Sequence, residues 1–303
     1  MTGRFAAPTV LDDALAILAA DADARAVAGG TDLVVASRQG RRPLPDSIVA
    51  IDRIPELDRH GVEAGRLILG GLTTHAWIAG SDDVRARWTA LADASAIVGS
   101  AATRGTGTIG GNLMNASPAA ETTAPLVVFD AFVELRSATG SRTVPVAELA
   151  TGPGRTIAAA NELLTLVTIP TTASATGSAY IRLEYRRAME IAVVGAAALV
   201  TLSDDGRIAA ARIALTAVAP TIVRAPEAEA ELVGASPDRT TLRAAGAAAA
   251  AAARPIDDVR ASADYRRAML AVVVTRTVAA AVARARGEDI PVPASRWAHG
   301  QEA

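Results

Sequence analysis

Two glycine pairs, each set among small polar residues, constrain this chain more than any other feature. They are Ala28-Gly-Gly-Thr-Asp-Leu33 and Thr108-Ile-Gly-Gly-Asn-Leu-Met-Asn-Ala-Ser-Pro118. Glycine has no Cβ, so it can adopt positive φ and bring its backbone N–H against a phosphate. The two loops stand about 80 residues apart, a spacing that suits one dinucleotide gripped from two sides.

Composition narrows the chemistry around these loops. The chain has 303 residues, half of them apolar, enough for two domains with full cores. A formal net charge of −2 argues against a nucleic-acid binder. There is no cysteine, which excludes disulfides, thiolate nucleophiles and cysteine-held iron–sulfur clusters in this chain. His60, His75 and His299 are scattered without metal-ligand spacing. Any redox chemistry therefore calls for an organic cofactor. No apolar run reads as long enough to span a bilayer, and Met1-Thr-Gly-Arg-Phe5 lacks a signal peptide's apolar core, so the expectation is a cytoplasmic protein.

Periodicity gives the element order. Residues 9–20 read as an amphipathic helix, Arg25–Ala28 as a strand, and Leu33–Arg38 as a helix capped by Thr31 or Asp32. The first glycine pair thus falls at a helix N-terminus, where unpaired N–H groups and the helix dipole favour an anion. Ile48–Ile51 and Leu67–Gly70 read as strands and Trp88–Val98 as a helix. Ser117-Pro118 reads as a helix start that Pro125 interrupts or restarts. Phe132–Arg136 and Leu163–Ile169 read as strands, and residues 171–178 as a linker. Ile191–Leu202 and Ile208–Val218 flank Ser203-Asp-Asp-Gly-Arg207 as a hairpin. Helices are expected at Pro226–Val233, Thr241–Ala253 and Asp264–Arg286. The expected class is α+β, with residues 1–175 as one domain (subdomains about 1–55 and 56–175), 176–290 as a second, and 291–303 as a tail.

The glycine loops, with Ala179-Tyr-Ile-Arg-Leu-Glu-Tyr-Arg-Arg187, Ile191–Val194 and Ala217-Val-Ala-Pro-Thr-Ile-Val-Arg224, resemble the FAD-binding medium subunit of molybdenum-containing hydroxylases. That family includes bacterial carbon monoxide, xanthine and nicotinate dehydrogenases. The resemblance covers nearly the whole chain and implies a vanillyl-alcohol-oxidase-like (PCMH-type) FAD domain followed by a C-terminal α+β domain. It implies cofactor contacts from Ala28, Gly29, Gly30, Thr31, Asp32 and Leu33, and from Thr108, Ile109, Gly110, Gly111, Asn112, Asn115, Ser117 and Glu121. Leu164 and Arg182 are implied beside the isoalloxazine ring. It further implies an oxidoreductase complex. A large subunit holds the molybdenum-pterin cofactor, a small subunit holds two [2Fe–2S] clusters, and the whole assembles as a dimer of heterotrimers.

Three positions depart from the family pattern. Carbon monoxide dehydrogenases usually carry His-Ser where this chain has Thr31-Asp32, which points toward an N-heterocycle or purine substrate. Many relatives have aspartate at Glu121 and lysine at Arg182, and arginine is a planar, permanently charged donor. Read without the family, each residue has a plainer role. Gly29-Gly30 suits a tight turn, Asp32 a helix cap, Glu121 an exposed first-turn acid, Leu164 the core and His75 a loop. Arg182, Arg186 and Arg187 suit either a solvated strand edge or a docking surface. Neither loop is flanked by a histidine, tyrosine or paired carboxylate, which favours electron relay over a stand-alone flavoprotein oxidoreductase or a non-enzymatic FAD-binding module.

Overall fold

The computed structural model describes residues 4–40, 43–186 and 188–298; Arg187 and His299 lie outside them. The chain opens with a three-stranded parallel sheet, β1 (Arg4–Ala6), β2 (Ala24–Val27) and β3 (Ser47–Ala50), in the order β1-β3-β2. Helix α1 (Leu11–Ala20) makes the crossover, burying Leu11, Ala14, Leu15 and Leu18 on one face. Helix α2 (Thr31–Arg38) follows β2 directly.

A five-stranded antiparallel sheet comes next. It consists of β4 (His60–Glu63), β5 (Arg66–Gly70), β6 (Phe132–Ser137), β7 (Gly140–Pro145) and β10 (Leu163–Ile169), in the order β4-β5-β10-β6-β7. A small ribbon, β8 (Ala150–Gly152) with β9 (Arg155–Thr156), and the single turn of α9 (Val146–Leu149) lie between β7 and β10. Six short helices connect β5 to β6: α3 (His75–Gly80), α4 (Asp82–Arg87), α5 (Thr89–Ala96), α6 (Ala101–Thr106), α7 (Ile109–Asn115) and α8 (Thr123–Val128). Their apolar faces close a core around Trp88, Leu69, Leu91, Val133 and Val167.

The C-terminal part is a four-stranded antiparallel sheet of β11 (Thr176–Leu183), β12 (Val194–Leu202), β13 (Ile208–Thr216) and β14 (Val223–Arg224). The expected hairpin is present, turning through Ser203–Arg207 with Gly206 at φ +79°. Helices α10 (Pro226–Leu232), α11 (Arg239–Ala252) and α12 (Ala263–Ala285) complete a second core on one face of this sheet.

Four expectations need correction. No helix opens at Ser117-Pro118: the Ser117 hydroxyl accepts the Ala119 N–H at 3.2 Å and closes a turn. The helix begins at Thr123, with Pro125 in its first turn, where the missing N–H costs nothing. Residues 176–178 are the start of β11 rather than linker. Their small size answers a packing need, since a Cβ at Gly177 would lie 2.1 Å from the Ala281 carbonyl oxygen of α12. At 23 residues, α12 is itself long and apolar enough to cross a membrane, contrary to the sequence reading, yet its apolar face is spent on the second core. Finally, the segment read as a tail carries α13 (Ala294–Ala298), whose Ala294 and Ala298 are fully buried.

One buried carboxylate ties these parts together. Asp93 of α5 is completely buried and accepts the Arg284 guanidinium of α12 at 2.6 and 3.0 Å. It also accepts the Tyr180 N–H of β11 at 3.0 Å and the Ala294 N–H at 2.9 Å. Arg284 in turn donates to the Ser178 carbonyl at 2.7 Å. Removing one partner of such a pair leaves a buried charge uncompensated. Asp93→Ala should therefore cost about 3–5 kcal/mol of stability, read as a lower urea midpoint. A variant that unfolds at the wild-type midpoint would rule out this clamp as the joint between the two cores.

Candidate cofactor-binding site

The first glycine loop leaves β2 at Val27 and enters α2 at Thr31. Gly30 is the N-cap with φ 64° and ψ 7°, a left-handed conformation that glycine adopts without strain. The sequence reading gave the cap to Thr31 or Asp32; the structure gives it to Gly30, and Asp32 stands exposed with no capping hydrogen bond. None of the five backbone N–H groups from Gly29 to Leu33 finds an acceptor among the described residues. All five belong to a loop and a helix start, the arrangement that binds anions. Ala28, Gly29, Gly30, Thr31 and Leu33 are half-buried around them.

The wall opposite this loop is backbone from just ahead of the second. A Cβ at Gly29 would lie 1.9 Å from the Thr106 carbonyl oxygen. A Cβ at Gly107 would lie 3.5 Å from the Thr31 hydroxyl. The first loop therefore meets the entrance of the second at backbone contact, through glycine on both sides.

The second loop uses its polar groups differently. Thr108 caps α7, its hydroxyl accepting the Gly111 N–H at 3.0 Å. The Ile109 and Gly110 N–H groups donate to the carbonyls of Thr73 and Gly71. The Asn112 side-chain oxygen accepts the Thr122 hydroxyl at 2.7 Å. A Cβ at Gly110 would lie 2.6 Å from the Gly71 carbonyl oxygen, and one at Gly71 would lie 2.4 Å from that of Leu164. Gly110, Gly71 and Leu164 are thus three backbones stacked in contact, beside the bulge of β10 at Leu164–Leu166. Neither Gly110 nor Gly111 has positive φ. The flanking threonine and asparagine, which looked like donors kept for a ligand, hold the loop to its own scaffold. Gly111 and Asn115 face outward, and Ser117 serves its turn.

Beyond the loop lies a buried charge cluster. Arg182 of β11 is completely buried, which excludes the solvated strand edge as its setting. Its guanidinium is hydrogen-bonded to Glu121 and reaches Glu184 at 2.6 Å. Glu121 is buried rather than an exposed first-turn acid. Burial pushes the Glu121 carboxyl up, against the opposing pull of Arg182. One guanidinium serves two carboxylates, so Glu121, Arg182 and, through the neighbouring Thr122, Asn112 form one connected group. Arg186 is exposed and pairs with Glu190, and Arg187 lies outside the described residues.

Two residues escaped the sequence reading. His75 is not in a loop: it is the first residue of α3, only 2% exposed, and its backbone N–H donates to Gly107. Burial, reinforced by Arg104, lowers its pKa to about 4, so its imidazole is neutral at pH 7. Asp93 also went unremarked. Its only signal was one acid inside the apolar run Ala90-Leu-Ala-Asp-Ala94.

The arrangement fits a dinucleotide such as FAD: a donor-rich helix start lies against the Thr106–Gly107 backbone, at a contact that admits only glycine at position 29. Gly29→Ala should lower the flavin content of the purified protein to a small fraction of wild type. Gly111→Ala, whose Cβ meets only the Thr108 hydroxyl at 3.1 Å, should retain most of it. Equal flavin content in the two variants would show that the Gly29–Thr106 contact does not shape the cleft.

Known proteins place this geometry in a family. Residues 2–172 match the FAD binding domain in molybdopterin dehydrogenase, and residues 179–281 match the CO dehydrogenase flavoprotein C-terminal domain. The chain is 32% identical to the carbon monoxide dehydrogenase medium chain of Hydrogenophaga pseudoflava, over 93% of this chain and 97% of that one. It is 33% identical to subunit alpha of the 6-hydroxypseudooxynicotine dehydrogenase complex of Paenarthrobacter nicotinovorans, over 87% and 88% of the two chains. Its fold superposes on quinoline 2-oxidoreductase from Pseudomonas putida 86 with a TM-score of 0.88 at 30% identity, covering 94% and 98%. With both halves matched in order and the glycine cleft in place, the chain belongs to the FAD-binding medium subunits of the molybdenum-containing hydroxylases.

Proposed function

We propose that this chain is the electron-transfer subunit of a molybdenum hydroxylase complex. It receives electrons from [2Fe–2S] clusters on a small partner subunit and passes them to NAD, oxygen, a quinone or another carrier. The observation that carries this reading is the set of five unpaired N–H groups at Gly29–Leu33, facing the Thr106–Gly107 backbone, in a chain without cysteine. FAD, when bound, supplies the redox chemistry that no side chain here can provide. The chain's own task is to bind and orient it. Gly29–Leu33 donate to the pyrophosphate. Gly110 and Leu164 brace the second loop through Gly71, and the Arg182–Glu121 pair ties β11 of the C-terminal part to the segment that follows that loop.

A large subunit holding the molybdenum-pterin cofactor carries the substrate chemistry, and the complex is a dimer of heterotrimers in the cytoplasm. The division near 175 is supported by the first two sheets ending at Ile169 and the third beginning at Thr176, and α13, with Ala294 and Ala298 in the second core, goes with the C-terminal domain. The substrate class we favour is an N-heterocycle or purine, on the strength of Thr31-Asp32. Overall identity does not separate the branches, at 32% and 33% for the two relatives above.

Two measurements test this. The purified chain should be yellow and release FAD on acid precipitation, since it has no cysteine for a thioether link. Native mass measurement of protein isolated from its host should show iron–sulfur and molybdenum subunits bound, across an interface on the order of 2,000 Å² or more. A stable free monomer in the host extract would overturn the relay, whatever its flavin content. An isolated chain that oxidised an organic substrate by itself at physiological rates would point to a stand-alone oxidoreductase.

A further inference from the structure

His75 occupies a position that packing alone does not explain. It is a polar side chain with 2% exposure and makes no side-chain hydrogen bond among the described residues; its Nδ1 is buried without a partner. A buried polar group left unpaired costs on the order of 1–3 kcal/mol, so the site has a reason to keep it. The surroundings supply one. The backbone N–H of His75 holds the Gly107 carbonyl at 3.1 Å. The position a Cβ would take at Gly107 lies 3.4 Å from Cδ2 of His75 and 3.5 Å from the Thr31 hydroxyl. The imidazole and the first residue of α2 therefore pack against the same glycine, next to the Gly29–Leu33 loop, whose N–H groups find no acceptor among the described residues. The Arg104 guanidinium lies close enough to act on the same ring. A neutral imidazole carries one N–H and one acceptor nitrogen, so it can donate to an anion without bringing a second buried charge beside Arg104.

We propose that His75 is a cofactor-binding residue, its imidazole donating a hydrogen bond to an anionic oxygen of the dinucleotide held by the Gly29–Leu33 loop. The assignment rests on the FAD reading above and adds to it a side-chain donor beneath the backbone cradle. Thr31 and His75, which meet at the Cβ side of Gly107, then form the side-chain part of the pyrophosphate site.

The test uses the full chain stripped of flavin and titrated with FAD, followed by flavin fluorescence. His75→Phe keeps an aromatic ring and removes both nitrogens. It should weaken FAD binding about tenfold or more, the scale of a hydrogen bond to a charged group. His75→Asn, which keeps a donor, should recover much of the loss, and a purely packing role would give the reverse order. Melting of the flavin-free variants separates folding defects from binding defects. Should His75→Phe fail to fold, the wild-type protein still decides the matter. It has only three histidines, and the ¹⁵N imidazole signals of His75 should move when FAD is added. His75→Phe binding FAD as tightly as wild type, or His75 signals unmoved at saturating FAD, would overturn the proposal and leave the flavin reading standing. Failure of the wild-type chain to bind FAD would overturn both.

Discussion

The Asp93–Arg284 pair is the contact on which the remaining architecture depends. A carboxylate with no solvent exposure is tolerable only when each lone pair is used, and Asp93 uses them on a guanidinium and two backbone N–H groups. Those donors come from β11, α12 and the approach to α13, while Asp93 itself sits on α5 among the helices between β5 and β6. The two large cores are thereby fastened at a point between α5, β11 and α12. Neighbouring bonds follow the same path. The Ala90 N–H donates to the Ser178 hydroxyl at 3.0 Å, and the indole N–H of Trp88 donates to the Pro170 carbonyl at 2.8 Å. Three residues of a short stretch around α5 thus engage the connection between the halves.

The two glycine loops look alike in sequence but need glycine for different reasons. Gly30 needs its left-handed φ, and Gly29 needs room for the Thr106 carbonyl. Both leave N–H groups unspent, which is what an anion site requires. Gly110 has ordinary φ and is required because its backbone rests on Gly71, which rests on Leu164. Its N–H and that of Ile109 are consumed by the scaffold. The first loop is therefore the donor and the second is the frame that sets its distance. A substitution at Gly110 would disturb binding through the fold, whereas one at Gly29 would act at the cleft itself.

Much of this order was legible in the sequence, and the failures are instructive. The strand Leu163–Ile169 and the helices near 226, 241 and 264 were found because apolar spacing and local propensity agree there. Ser117-Pro118 misled because a serine followed by proline begins a turn as readily as a helix. The linker reading of 171–178 overran at 176–178 because smallness at Gly177 reflects contact with α12, which no local pattern reports. The glycine cleft was legible as a pair of loops, but not which loop keeps its N–H groups unpaired. The burial of Arg182 and His75 was not legible at all. Both are polar residues whose partners or neighbours lie dozens of positions away, and only the tertiary fold brings them together.

Strand β11 explains how the C-terminal part is fastened to the first half. Side chains alternate along a strand, and the two faces of β11 serve two cores. Ala179 and Ile181 pack into the second core, while Tyr180 packs into the first. On the same face as Tyr180 stand Ser178, which accepts from α5, and Arg182, which grips Glu121. The Tyr180 N–H itself is bound by Asp93. One short run of alternate residues therefore carries the clamp at one end and the Arg182–Glu121 pair at the other. The register that seats Asp93 also fixes where Arg182 meets Glu121. A shift of β11 by one residue would turn Arg182 into the alanine-rich second core, where no carboxylate waits. The buried clamp thus also fixes where the Arg182–Glu121 pair forms.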